Sequence, residues 1–167
     1  PASVKAYARK HPHRMGKWSA DSKTHIAHMD DGDFFGSEQS VEIDQPGNVI
    51  IEFTGSDGHR FLLKRDVKVR TGELLDASLM SAAKLSTFID AQLADAKAKD
   101  VLFSLHLKAT MMKVSDPIIF GVAVKRFYAD VLAKHAEVLD AAGFDANNGI
   151  GDLYDRLPEL AADVRAQ

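Results

Sequence analysis

The spacing of apolar positions changes once along this chain. Up to about residue 70 apolar and polar residues alternate in short runs; beyond Leu74 they recur at helical spacing. The first half therefore predicts strands and the second half helices. Residues 3–10 suit a short helix that His11-Pro12 should stop. Residues 24–29 (THIAHM) predict a short strand, and Asp30-Asp31-Gly32-Asp33 a turn. Residues 38–44 set Val41 and Ile43 on one face against Ser40 and Glu42 on the other. Pro46-Gly47-Asn48 turns the chain into 49–54, and Ser56-Asp57-Gly58 is a hairpin turn before 59–69. The expected arrangement is an antiparallel meander.

Leu85, Phe88, Ile89, Leu93 and Ala96 fall on one helical stripe, so 81–98 predicts an amphipathic helix with Ser81 as N-cap. Residues 101–107 (VLFSLHL) predict a strand apolar enough to be buried on both faces. Pro117 suits the first position of a helix capped by Ser115 or Asp116, running through Phe127, Val131, Val138 and Leu139 to a stop at Gly143. Asn147-Asn148-Gly149 predicts a loop, and 158–166 a last helix. The fold class is α+β: an antiparallel β-rich first half over 20–70, then strand–helix units over a helix-rich 81–167, in one domain.

Composition narrows the function classes. The 167 residues are 46% hydrophobic and 27% charged, ordinary for a soluble globular chain. No apolar run approaches the roughly 20 residues that span a bilayer, and no charged-then-apolar leader is present, so no membrane partner is expected. The absence of cysteine excludes disulfides and thiolate metal sites and fits a cytoplasmic protein. The net charge of −3 hides an asymmetry. Residues 1–25 carry Lys5, Arg9, Lys10, Arg14, Lys17 and Lys23 against Asp21, a net +5, and residues 26–45 carry six acids and no Lys or Arg. One reading is two solvated surfaces that attract each other. The other is a basic anion-binding module, with Tyr7 and Trp18 placed to stack on the bases of a nucleic acid. The acidic neighbour and the acidic overall balance argue against a nucleic-acid partner.

The richest chemistry lies in 101–117, VLFSLHLKATMMKVSDP. In an extended run Val101, Phe103, Leu105 and Leu107 share one face, and Ser104, His106 and Lys108 the other. Lys108 has two readings. It is the wet end of a strand leaving the core, or it is a partly desolvated lysine beside an anionic substrate, able to exchange a proton near neutral pH.

Four blocks carry a resemblance: YARKHPHRMGKWSADSKTHIAHMDDGDFFGSE (7–38), GELLDASLMS (72–81), VLFSLHLKATMMKVSDPIIFG (101–121) and FDANNGIGDLY (144–154). In order and together they resemble the monomeric NADP-dependent isocitrate dehydrogenases. Trp18 and the Met111-Met112 pair make the match far more specific than a short motif; Phe35 departs mildly, standing where relatives often carry tyrosine. The resemblance implies oxidative decarboxylation of isocitrate to 2-oxoglutarate with NADP and Mg²⁺ or Mn²⁺. It assigns Lys108 as the catalytic, substrate-contacting residue. It also implies that this chain is the first half of the smaller domain of a larger α/β enzyme. The metal-binding aspartates, the catalytic tyrosine and the NADP contacts then lie elsewhere in that enzyme. On this reading the chain alone is inactive, holds no cofactor or metal, and has the rest of the enzyme as its packing partner. Exposed apolar surface and self-association are expected.

The remaining polar groups are weaker candidates. His25 and His28, followed by Asp30, Asp31 and Asp33, resemble a metal cluster by composition. Positions i and i+3 of a strand face opposite sides, however, and the spacing fails an EF-hand; an exposed turn is the expectation. His11 and His13 flank Pro12 in a basic loop, where packing or surface exposure is expected. Asn147, Asn148 and Asp152 fit a polar pocket or turn and capping chemistry equally well. No phosphate-binding glycine motif occurs.

Overall fold

The computed structural model describes residues 2–12, 16–107 and 114–165. Its organising element is the 18-residue helix α3, Ala82–Lys99, which two short helices and four strands precede among the described residues. Ser81 caps its start, its hydroxyl accepting from the Lys84 N–H, which satisfies a donor that has no partner inside the helix. Asp100 ends it in the left-handed region (φ 56°), its N–H reaching the carbonyls of Ala96 and Lys97. Leu85 and Ile89, one turn apart, are 5% and 2% exposed and form the core with Ala123. Met29, Met80, Phe103, Leu105, Ile119 and Val122 pack around them.

The first half is less compact than the second. Helix α1 (Ala2–Lys10) buries no residue, and α2 (Phe34–Ser37) is a single turn capped by Asp33. Strands β2 (Gly47–Thr54) and β3 (Arg60–Val69) form an antiparallel hairpin, closed through Gly55–His59 with Gly58 at φ +81°, as the Ser-Asp-Gly signal predicts. The meander expectation is corrected, because β1 (Gln39–Glu42) pairs not with β2 but with β4 (Leu74–Ala77) and encloses the hairpin. Pro46 offers no N–H to a ladder that would run on from β1. Gly72, at φ +76°, instead returns the chain so that its N–H meets the Ile43 carbonyl. Both faces of the hairpin are largely exposed: Ile50, Ile51, Phe53, Phe61 and Leu63 are each about half or more accessible.

Two predicted strands do not form as strands. Residues 24–29 carry no regular structure, and neither do 101–107. The latter keep their alternation: Val101, Phe103, Leu105 and Leu107 are half-buried, while Leu102, Ser104 and His106 are exposed. Burial on both faces is therefore corrected to one face, with Leu102 at 92% exposure. A strand is covered on its second face, and paired at its edges, by neighbours. Among the described residues none sits beside this one.

Helix α4 (Ser115–Phe127) starts two residues earlier than expected. Val114 occupies the cap, and Ser115 and Asp116 lie inside the first turn. Pro117 is tolerated there because first-turn N–H groups lack intrahelical partners. The long helix is broken into three. α5 (Ala129–Lys134) and α6 (Ala136–Ala141) follow bends at Tyr128 and His135. Hydrogen bonds Tyr128 N to Val124 O and His135 N to Val131 O carry the chain across each bend. It stops at Gly143, φ +69°, as predicted. Ala146–Asn148 form a 3₁₀ turn, and α7 (Ile150–Arg156) was not predicted. The expected last helix reduces to a 3₁₀ turn at Leu157–Glu159 and the single turn α8 (Ala162–Arg165).

Candidate functional site

The candidate site is the junction between 101–107 and α4. Lys108, like Met111 and Met112, lies outside the described residues, and so do His13 and Arg14. The structure describes what flanks Lys108. On one side Phe103 and Leu105 turn inward onto the Leu85–Ile89–Ala123 core; on the other, Ile119 and Val122 of α4 pack on the same cluster. Both flanks are thus anchored to α3. Ser104 and His106 share the exposed side of 101–107, as alternation requires.

Helix α4 opens toward this junction with Ser115, whose hydroxyl donates to the Asp116 carboxylate at 3.3 Å. Asp116 in the first turn complements the positive end of the helix. Arg126 clamps α4 to α3 by a two-pronged pair with Asp90, Nε to Oδ1 at 2.6 Å. The Asp90 carboxylate raises the Arg126 pKa above its ordinary value. At the far side of α4, Gly121 faces Asn147 so closely that a Cβ would lie 2.0 Å from its Oδ1. Gly149, at φ +81°, leaves room for the Phe120 ring.

The polar groups of 144–156 are occupied with this packing. Asp152 accepts from the Asp145 N–H at 2.8 Å and from Arg156 Nε at 2.9 Å. Asp145 in turn accepts from the Asn147 N–H. Asp145 thus caps the 3₁₀ turn Ala146–Asn148, and Asp152 ties its backbone to Arg156. The Arg156 hydrogen bond, then the Asp145 N–H, hold the Asp152 carboxyl below its usual range. A depressed carboxylate contributes stability above its unfolded value, about pH 4, and loses it as pH falls through the folded one. Asp152→Asn is therefore expected to flatten the acid limb of the stability curve, measured by urea unfolding at a series of pH values. An unchanged acid limb would show that this network contributes nothing.

The histidine–acid group of 25–33 does not converge. His25 Nε2 meets Asp95 at 3.0 Å, and His28 lies 3.8 Å from Asp30. Asp31 pairs with Lys84, and Asp33 caps α2. Among the described residues no three His, Asp or Glu side chains are placed to hold a metal ion. His11 stacks on Tyr7 with ring centroids 4.4 Å apart. Among the described residues no ion pair joins the basic and acidic segments, and Asp31 pairs with Lys84 of α3.

Sequence reading missed one constellation. Asp95 bridges His25 and Lys99, with Lys99 Nζ at 2.8 Å, and Lys99 chiefly holds its carboxyl below the usual range. Lys23 Nζ reaches the Lys99 carbonyl at 3.4 Å, at the negative end of α3. The Asp95–Lys99 spacing is legible on a helix; the long-range arrival of His25 and Lys23 is not. Among the described residues no helix is long and apolar enough to cross a membrane.

Comparison with known proteins gives one consistent result. The family model described as monomeric isocitrate dehydrogenase matches residues 1–167. The chain is 57% identical, over 99% of its length, to the isocitrate dehydrogenase (NADP) of Azotobacter vinelandii, covering 24% of that protein. It is 54% identical over 97% of its length to isocitrate dehydrogenase (NADP) 2 of Colwellia maris, and 48% identical over 99% to that of Mycobacterium tuberculosis, covering 22% of each. The chain thus spans about a quarter of the length of these relatives.

Proposed function

This chain belongs to the monomeric isocitrate dehydrogenase family, and we propose that it acts as one part of an NADP-dependent enzyme that oxidises isocitrate and decarboxylates the product to 2-oxoglutarate. The observation that supports this most is the whole-length match to proteins named for that activity. Within the chain, Lys108 is the catalytic residue. Its cationic side chain attracts the substrate carboxylates, and its amine exchanges the proton of the substrate hydroxyl as that carbon is oxidised. Partial desolvation would lower the lysine pKa enough for exchange near neutral pH. NADP, when bound, supplies the hydride acceptor. Among the described residues no three His, Asp or Glu side chains converge, and we place the ligands of the Mg²⁺ or Mn²⁺ that the family implies, with the nicotinamide contacts, outside this chain.

The packing of 101–107 and α4 on a shared helix fits this assignment. It fixes both ends of the Lys108 segment to one rigid element, as a positioned acid–base group needs. The first half of a smaller domain remains the domain assignment. Its natural packing partner is the rest of the enzyme, in a cytoplasmic setting. The exposed hairpin, with Phe53 and Phe61 at 55% and 54% accessibility, then contacts that partner. In its absence the hairpin should drive self-association. Sedimentation is expected to show concentration-dependent oligomers that Phe53→Ser with Phe61→Ser reduces; a strictly monomeric wild-type chain would contradict this.

The purified 167-residue chain is expected to form no NADPH from isocitrate, NADP and Mg²⁺ or Mn²⁺. A graft is expected to form it: the Azotobacter vinelandii enzyme with its matching quarter replaced by this chain. Turnover by the isolated chain, with contaminating enzyme excluded, would show that the site is complete within these residues and that the two-part reading is wrong.

A further inference from the structure

A slot of about 490 Å³ runs over α3 between two segments that the sequence marks as strands and the fold leaves without partners. One rim is Thr24–Ala27 and the other Val101–Leu105; Phe88, Ile89 and Ala96 of α3 form the floor. Both rims are fixed to the same helix end. Lys23 and His25 bind the last turn of α3 through the Lys99 carbonyl and Asp95. On the other side, the Val101 N–H bonds the Ala96 carbonyl before the chain runs out along the slot. Beyond Val101, no backbone group of Leu102–Leu107 makes a hydrogen bond in the described structure. The side chains there still alternate in and out as in a strand. Ile26 and Leu102, one on each rim, are each 92% exposed.

We propose that this slot receives an extended strand from outside the 167 residues, hydrogen-bonded along Leu102–Leu107 and flanked on its other side by Thr24–Ala27. Bare main-chain donors and acceptors beside an apolar floor are the complement of an extended peptide. A helix satisfies its own backbone and cannot use them. Alternate side chains of the incoming strand rest on Phe88 and Ala96, and its main chain restores the missing ladder. A small polar ligand finds little here, because His25, Asp95 and Lys99 at one end already bind one another. The occupant is a segment of the longer enzyme, since the relatives run about four times the length of this chain. The inference therefore rests on the two-part reading of the function.

Amide hydrogen exchange tests it. In the isolated chain, amides of Leu102–Leu107 are expected to exchange without protection. In the graft, at least alternate amides of the run should slow by about a hundredfold or more. NADPH formation, measured on the same preparation, separates the two claims. Protection without turnover sinks the functional reading and keeps the strand; turnover without protection sinks the strand. Protection in the isolated chain that grows with its concentration would mean that a second copy fills the slot, and would overturn the proposal. The intact Azotobacter vinelandii enzyme supplies a reference that needs no engineered folding. An unprotected matching segment there would overturn the proposal as well.

Discussion

Lys108→Met in the graft should lower kcat by about 10²–10⁴, the usual worth of a general acid–base group. Methionine is unbranched and of similar reach, and it removes the charge and the exchangeable proton. The fold should tolerate it, since the core that holds both flanks is made by Leu85, Ile89 and Ala123. A rise in KM alongside the loss of kcat is compatible, because the amine also attracts carboxylates. A near-normal kcat at neutral pH would remove Lys108 from the chemistry. Lys108→Arg keeps the charge and loses the titration, so it should recover KM better than kcat.

Ile89→Ala is expected to destabilise the chain by about 2–5 kcal/mol, through lost burial and the cavity left behind. Ile89 is 2% exposed and is the largest side chain that the described residues bury fully. Its cluster reaches both sides of the proposed site, since Phe103, Leu105 and residues of α4 pack on it. A loss of this size is a large part of the stability of an ordinary domain. Urea unfolding should show it as a lower midpoint, while Lys97→Ala on the exposed face should change the midpoint little. If Ile89→Ala unfolds like the wild type, α3 is not the element that organises this fold.

Local signals carried the sequence reading where the energy is local. Ser81 marked the start of α3, the Leu85–Ile89 stripe its buried face, Gly58 the hairpin and Gly143 a helix stop. Pairing decided at a distance was not legible. Nothing near Val41 says that its partner is Leu75 rather than a residue of the next strand. The runs 24–29 and 101–107 have strand composition, but a strand exists only beside another. Their failure to pair is the same fact as the open slot. Helix α7 was missed because two glycines, Gly149 and Gly151, mask its short apolar stripe. For the site, spacing gave the shared side of Ser104 and His106, and the resemblance gave the role proposed for Lys108. Neither could show that α3 anchors both flanks of the lysine segment.

The central claim is that this chain supplies the lysine of an isocitrate dehydrogenase whose other groups lie outside it. Initial rates of NADPH formation test it most directly, at saturating isocitrate, NADP and Mn²⁺. Three proteins are compared: the graft, the graft carrying Lys108→Met, and the isolated chain. The account predicts steady turnover by the first, a rate about 10²–10⁴ lower for the second, and none for the third. A folded graft without activity, or a Lys108→Met graft that matches its parent, would contradict it.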